Sequence, residues 1–548
     1  MKTKPEAPIP FSVLSPGHPS NVACGTLQCY TTTATDSISG AITRTNDALN
    51  RLASETTPQG TVSYAYDNAG RRASLTVPGQ SVVNYTFDNA NRLTQIAQGT
   101  TTVGFTYDNA NRRATLTLPN GVVMSYSSDT ASQLTGMTYV LGGNPLGNLS
   151  YAYDNDGRRS SATGTFARTG LPLAMSQTAY NANNQLTTWG TANLFYDLNG
   201  NMTSDGTHSY AWDARNRLSQ IDSGSTASFS YDPFGRRTSK TILSTQTGFL
   251  YDGANPVQEL SGTTATANLL SAGIDEVFQR TDSAGPRSFL TDAVGSTLAL
   301  TDSTGTTQTS YTFEPFGNTT TTGSATTNSF AYTGRELDAT GLYYYRARYY
   351  NPTLQRLMSE DPVGFIGGSN LYRYADDNPI DFIDPFGLTV TVNYWPSTGF
   401  PGTADFHFGH VSMSVDGGDG QAYISWMPAE VGPIGTVPDD FLNATVKTGP
   451  QLDRDAEGRA PRQVVINGLN EKAILDWWKN YKRDPRFKLI GRNCANAVKA
   501  GLRAGGADIP VDDLIETPFG AYQDAQDIRD WGLGGPMFRL ILASQMGK

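Results

Sequence analysis

Aromatic residues return along the first part of the chain in a fixed company. Tyr64-Ala-Tyr66-Asp67-Asn68-Ala69-Gly70-Arg71-Arg72 is followed by Tyr85-Thr-Phe87-Asp88-Asn89-Ala90-Asn91-Arg92, and then by Phe105-Thr-Tyr107-Asp108-Asn109-Ala110-Asn111-Arg112. The aromatic-Asp steps are 21 and 20 residues apart. Looser copies sit at Tyr153-Asp154, Tyr196-Asp197, Trp212-Asp213, Tyr231-Asp232 and Tyr251-Asp252. Aromatic-x-aromatic is a period of two, which puts both rings on one face of a strand. Asp-Asn-Ala-Gly or Asp-Asn-Ala-Asn supplies a turn, with Gly or Asn suited to left-handed φ. The arginine that follows opens the return strand, and Thr-containing spacers such as Thr115–Leu118 favour strand as well. Each unit therefore predicts a β-hairpin. One hairpin cannot bury its own face, so neighbours must stack.

At Leu388 the pattern changes. Between residues 5 and 388 the only lysine is Lys240, whereas seven follow: Lys447, Lys472, Lys479, Lys482, Lys488, Lys499 and Lys548. The Tyr-Asp turns stop. Glu471–Tyr481 sets Ile474, Trp477, Trp478 and Tyr481 near one helical face before Asp484-Pro485. Ala495–Ala504, closed by Gly505-Gly506, and Phe519–Trp531, after Pro518, predict two more helices. Phe408–Val415 alternates as a strand, with a turn at Gly417–Gly420 and a second strand at Gln421–Trp426. These elements predict a separate α+β domain over 389–548, a normal size for one catalytic unit.

Composition narrows the classes. A chain of 548 residues exceeds one ordinary domain, and its net charge of −10 argues against a nucleic-acid partner. Of three cysteines, Cys24 and Cys29 could pair in an N-terminal tail, but nothing marks a disulfide framework. No apolar run follows the N-terminal lysines, and Leu540–Ala543 with its neighbours is too short to span a bilayer. The expectation is a soluble chain that a dedicated machine or carrier must export, with no cofactor. A metal site is not expected, because His407, His410 and Cys494 lack ligand spacing.

Two Asp-Pro-x-Gly units, Asp361–Gly364 and Asp384–Gly387, bracket the stretch Asn370-Leu-Tyr-Arg-Tyr374. As turn chemistry alone, Asp bonds nearby backbone, Pro pre-sets φ and Gly accepts φ > 0. The whole string from Glu360 to Leu388, with Tyr332-Thr-Gly-Arg-Glu-Leu-Asp338 and Gly341-Leu-Tyr-Tyr-Tyr-Arg-Ala-Arg-Tyr-Tyr350, resembles the core and closing segment of the Rhs/YD-repeat proteins. Nineteen residues separate Gly364 from Asp384, one more than that family usually has, which places an added residue around Ala375–Asp377. The resemblance implies a hollow β-shell that encloses a variable C-terminal toxin. It also implies self-cleavage by Asp361 and Asp384, acting like an aspartic protease between Leu388 and Thr389, with Asp376, Asp377 and Asp381 as nearby substitutes. The partners it implies are a cognate immunity protein, a secretion-spike or carrier protein of the type VI kind, and a target-cell protein substrate. The toxin would be made in a bacterial cytoplasm, exported, and act in the cytoplasm of a competitor.

The second constellation lies in the C-terminal domain. Cys494, in Gly491-Arg492-Asn493-Cys494-Ala495, opens a predicted helix, whose first-turn amides and dipole, with Arg492, would lower a thiol pKa. His410, in Phe408-Gly409-His410-Val411, lies on the predicted strand. A thiol at a helix start facing an imidazole on a strand is a nucleophile–base pair. His before Cys, with these two short boxes, is similar to the circularly permuted papain-like hydrolases. By position that group's third residue would be Ser425 or Gln421. His407 reads as structural.

The expected organisation is a lead-in over 1–35, a YD/Rhs-repeat shell over 36–350, the hallmark and self-cleavage segment over 351–388, and a permuted papain-like toxin domain over 389–548. The expected activity is cysteine-dependent peptide or isopeptide hydrolysis. The same pair could instead serve acyl transfer or removal on lipid, or glutamine deamidation. A non-enzymatic binding module on a YD-repeat surface protein is the reading from a different class.

Overall fold

The computed structural model describes residues 33–387, apart from 156, 173, 363–369 and 386. Outside that stretch it describes short strands: Cys24–Gly25, Gln28–Cys29, Val390–Trp395, His410–Gly417, Gly420–Ile424, Trp426–Pro428, Leu442–Val446, Arg462–Ile466 and Arg486–Phe487. Cys24 stands directly opposite Cys29 in the first small pair. The three predicted helices, Ser425, His407, Leu388, Thr389 and Cys494 lie outside the described residues.

Two long antiparallel sheets dominate. The first has 13 strands, from Thr33–Asp36 to Arg159–Thr163, and the second has 12, from Tyr210–Trp212 to Thr319–Gly323. Each strand pairs with its sequence neighbour, as stacked hairpins must.

The YD motif is a turn with a reach. The Asp67 carboxylate accepts the Ala69 and Arg71 amides at 2.9 Å and the Arg71 Nε at 2.7 Å. Gly70, Asn91 and Asn111 take φ of 81°, 62° and 61°, the left-handed conformation their residue types admit most readily. The register shifts at Ala65/Tyr66, so a three-residue turn closes on a bulge. The arginine then leaves its own unit. Arg71 Nη1 donates to Asn91 Oδ1 at 2.8 Å, and Arg92 Nη1 to Asn111 Oδ1 at 2.6 Å. The same guanidinium groups lie over Phe87 and Tyr107 of the next unit, 4.7 and 4.8 Å from the ring centres. Where the second aromatic is tyrosine, its hydroxyl reaches back, as Tyr107 does to the Leu93 carbonyl at 2.8 Å. Consecutive hairpins are thus tied at their turns as well as along their ladders.

The sheets are layered. Val62, Ile96, Val103, Val122 and Met124 of the first sheet are fully buried in one cluster with Leu250, Leu270 and Leu290 of the second. Alternate residues of the second sheet point the other way: Leu269, Phe289 and Leu300 join Tyr332, Tyr343, Tyr345, Tyr350 and Tyr374. The second sheet is therefore buried on both faces, between the first sheet and the segment that carries the hallmark. Polar pins between the two large sheets, Arg72–Asp252, Gln258–Pro78 and Asn120–Thr301, join residues 180 or 181 apart. One pass of the strip lies on the previous one. The apolar faces of successive passes meet in one cluster.

Candidate functional site: two carboxylates on one arginine

The hallmark packs against a four-stranded sheet, Glu336–Leu337, Tyr343–Tyr345, Arg348–Asn351 and Arg356–Leu357. Tyrosine rings fill this region because each buries a large body while its hydroxyl finds a partner. The Tyr345 and Tyr374 hydroxyls, for example, bond at 2.7 Å. Ala375–Asp377 forms a single 3-10 turn with left-handed φ at Ala375 and Asp377, 47° and 58°.

Asp361 and Asp384 are both buried and share one partner. Arg348 Nη2 lies 2.8 Å from Asp361 Oδ2 and 3.7 Å from Asp384 Oδ2. Its Nη1 donates to the Leu371 carbonyl at 3.1 Å, and its Nε donates to the Gly387 carbonyl at 2.6 Å. The guanidinium therefore gathers two carboxylates, 23 positions apart in sequence, and the last described residue before the expected cut. Gly387 has a φ of 69°, and a Cβ there would stand 2.7 Å from the Tyr345 carbonyl oxygen, so only glycine fits. Of the substitutes, Asp381 is engaged elsewhere, accepting the Arg159 amide at 3.1 Å and the Asn378 side-chain amide at 2.9 Å. Sequence reasoning missed Arg348. The available signal was two arginines, Arg346 and Arg348, inside a run of five tyrosines, where unpaired charge could not be buried.

For the second constellation, the described backbone gives strand positions only. His410 is the first residue of its strand, opposite Trp395, and Gly417 pairs with Gly420 across the hairpin. Gln421 pairs with Asp416, at the far end of that strand from His410. Val390–Trp395, which begins just past the expected cut, pairs with both His410–Gly417 and Arg462–Ile466.

Comparison with known proteins agrees with the repeat reading. Residues 146–380 match the Teneurin YD-shell family and residues 47–82 match the RHS Repeat family. The repeat region is thus similar in sequence to YD-shell and RHS-repeat proteins over these two stretches. Residues 439–533, which include Cys494, match the family described as the IcsB middle domain. The tRNA3(Ser)-specific nuclease WapA of Bacillus spizizenii is 30% identical over 257 residues, 44% of this chain and 11% of that protein. The double-stranded DNA deaminase toxin A of Burkholderia cenocepacia is 26% identical over 258 residues, 38% of this chain and 18% of that protein. A solved structure of TcdB2-TccC3-TEV aligns with 64% of this chain and 21% of its own, at 20% identity and a TM-score of 0.43. The chain thus spans less than a fifth of either of these relatives.

These relatives correct one expectation. Net charge argues against a nucleic-acid partner, yet the relatives are named for acting on tRNA and on double-stranded DNA. A whole-chain charge of −10 averages over the repeat region and the C-terminal portion, and says nothing of any one surface.

Proposed function

We propose that this chain is an Rhs-type toxin in which a YD shell carries a C-terminal effector and cuts it free between Leu388 and Thr389. The observation that carries the reading is Arg348 holding Asp361, Asp384 and the Gly387 carbonyl together. The next carbonyl along the chain is that of Leu388, one Cα step of about 3.8 Å away. Two carboxylates gathered on one guanidinium can divide the work, one as base and the other as acid. Asp361, nearer the guanidinium, serves as the ionised base, and Asp384 holds the proton. Asp361 takes a proton from water as its oxygen attacks the Leu388 carbonyl carbon. Asp384 gives its proton to the Thr389 nitrogen as the C–N bond breaks. The products are a Leu388 carboxylate and a Thr389 amine.

For the effector, Cys494 is the nucleophile and His410 the base of a cysteine hydrolase. Support comes from the helix start that the sequence predicts at the thiol and from the separate family match over 439–533. Peptide hydrolysis, acyl transfer and deamidation share this pair. A nuclease or nucleic-acid deaminase is the second reading, favoured by the names of the relatives. The toxin would leave its producing cell and act inside another, in keeping with the secreted Rhs type. The full chain expressed in a bacterial cytoplasm should stop growth, and Cys494→Ser or His410→Ala should restore it. Growth arrest that persists in Cys494→Ser, with degraded or deaminated nucleic acid, would replace the first reading by the second.

A further inference from the structure

The segment that leads to the expected cut is held at two carbonyls. Arg348 takes that of Gly387, and Arg346, two residues earlier, donates to that of Pro385. Arg346 belongs to the two-residue turn between Tyr343–Tyr345 and Arg348–Asn351. There it has a φ of 54°, a conformation glycine takes at little cost and other residues rarely adopt. The bonds that its side chain makes offset the cost of this backbone conformation.

That side chain runs to a distant part of the shell. Arg346 Nη2 and Nη1 bond the two oxygens of Asp275 at 2.7 and 3.1 Å, and Arg335 bonds the same carboxylate. Asp275 sits in the turn between the strands Thr264–Ser271 and Val277–Asp282 of the second sheet. Its neighbour in space is the glycine of the Tyr332-Thr-Gly334 turn, where a Cβ would crowd the Asp275 carbonyl. Burial and the adjacent Arg335 charge both work against the Arg346 guanidinium, and Asp275 works for it.

We propose that Asp275 and Arg346 are positioning residues for the self-cleavage: they fix Pro385 so that the Leu388–Thr389 bond meets the Asp361–Asp384 pair only once the second sheet has folded. This rests on the cleavage reading above. Neither residue takes part in the proton transfers.

The test follows the full chain through cell-free synthesis, reading the uncut fraction by intact mass over time and the melting temperature of the shell. The variants are Arg346→Gly and Asp275→Asn, beside wild type and Asp384→Asn. Glycine relaxes the backbone at 346, so a merely structural turn would fold as well or better and be cut at the normal rate. The anchor account expects Arg346→Gly, assayed at a temperature where its shell is still folded, to be cut more slowly, on the order of 100-fold for a misplacement near 1 Å. Millimolar guanidinium should recover part of that rate. A chain that was only destabilised would show no such recovery, because denaturants and stabilisers act on stability at far higher concentration. Arg346→Gly cut at the wild-type rate overturns the anchor while the cleavage stands. A wild type that is never cut overturns the cleavage itself and the anchor with it.

Discussion

Replacement of Arg237 by methionine should unfold the junction between the second sheet and the hallmark layer. Arg237 is fully buried. Its guanidinium bonds Glu336 at 2.6 Å, Asp338, and the Tyr349 hydroxyl at 3.0 Å, and stacks 4.3 Å from the Tyr344 ring centre. Lys240 adds a second contact to Asp338 at 2.9 Å. Methionine would leave two buried carboxylates with one ammonium between them. Removing one partner from a buried ionic group costs about 3–5 kcal/mol. The pH dependence follows from Asp338. Burial pushes its carboxyl up, but the charges of Arg237 and Lys240 more than offset this and hold it below the usual range. In wild type it contributes stability above the unfolded carboxylate value, lost as pH falls through the folded one. Without Arg237 burial prevails, the folded value moves above the unfolded one, and the penalty grows as pH rises past about 4. Urea titration should therefore give the full loss at neutral pH and a smaller one near pH 4.5, where the penalty of the unpaired carboxylate has shrunk. Adding Glu336→Gln and Asp338→Asn to Arg237→Met should recover most of the neutral-pH loss. A single variant within about 0.5 kcal/mol of wild type at neutral pH, or a loss independent of pH, would refute the reasoning.

Three further outcomes are expected. Arg92→Ala should cost about 1–2 kcal/mol, because it removes a half-exposed ion pair to Asp88, a bond to Asn111 and the stacking on Tyr107. Amide exchange should quicken in the Asp108–Arg112 turn as well as in its own, and a change confined to its own turn would contradict the ladder. Gly387→Ala should accumulate uncut chain, since its Cβ would collide with the Tyr345 carbonyl; cleavage at the normal rate would mean that this turn is not the one that presents the bond. An alkylating thiol probe should label Cys494 faster in wild type than in His410→Ala, and equal rates would separate the two residues.

Local chemistry was legible in the sequence, and long-range pairing was not. The left-handed positions at Gly70, Asn91 and Asn111 followed from turn residues in a fixed frame. The turns at Asp292 and Asp302 went unread, although each aspartate accepts the amides two and four residues on, as Asp67 does. Threonine precedes both, so the aromatic cue was absent while the Asp-x-x-Gly turn remained. At Tyr251-Asp252 the cue was present but the turn differs. Asp252 pairs with Asn255 across a two-residue loop, and its carboxylate turns to Arg72. The arginine ladder could not be read from one unit, because its acceptor belongs to the next. The layering depends on residues about 180 apart, which no local period encodes. In the candidate site the two aspartates were legible because each stands in a turn with its own signature. Arg348 was not, because its partners lie 13 and 36 residues away. Cys494 and His410 are legible only through their order in the chain and the elements predicted for them.

The most direct test of the account is the intact mass of the purified full-length protein beside Asp384→Asn. The account predicts two fragments for wild type, ending at Leu388 and beginning at Thr389, and one unbroken chain for Asp384→Asn. A single uncut mass for wild type, or the same two fragments from Asp384→Asn, would contradict it.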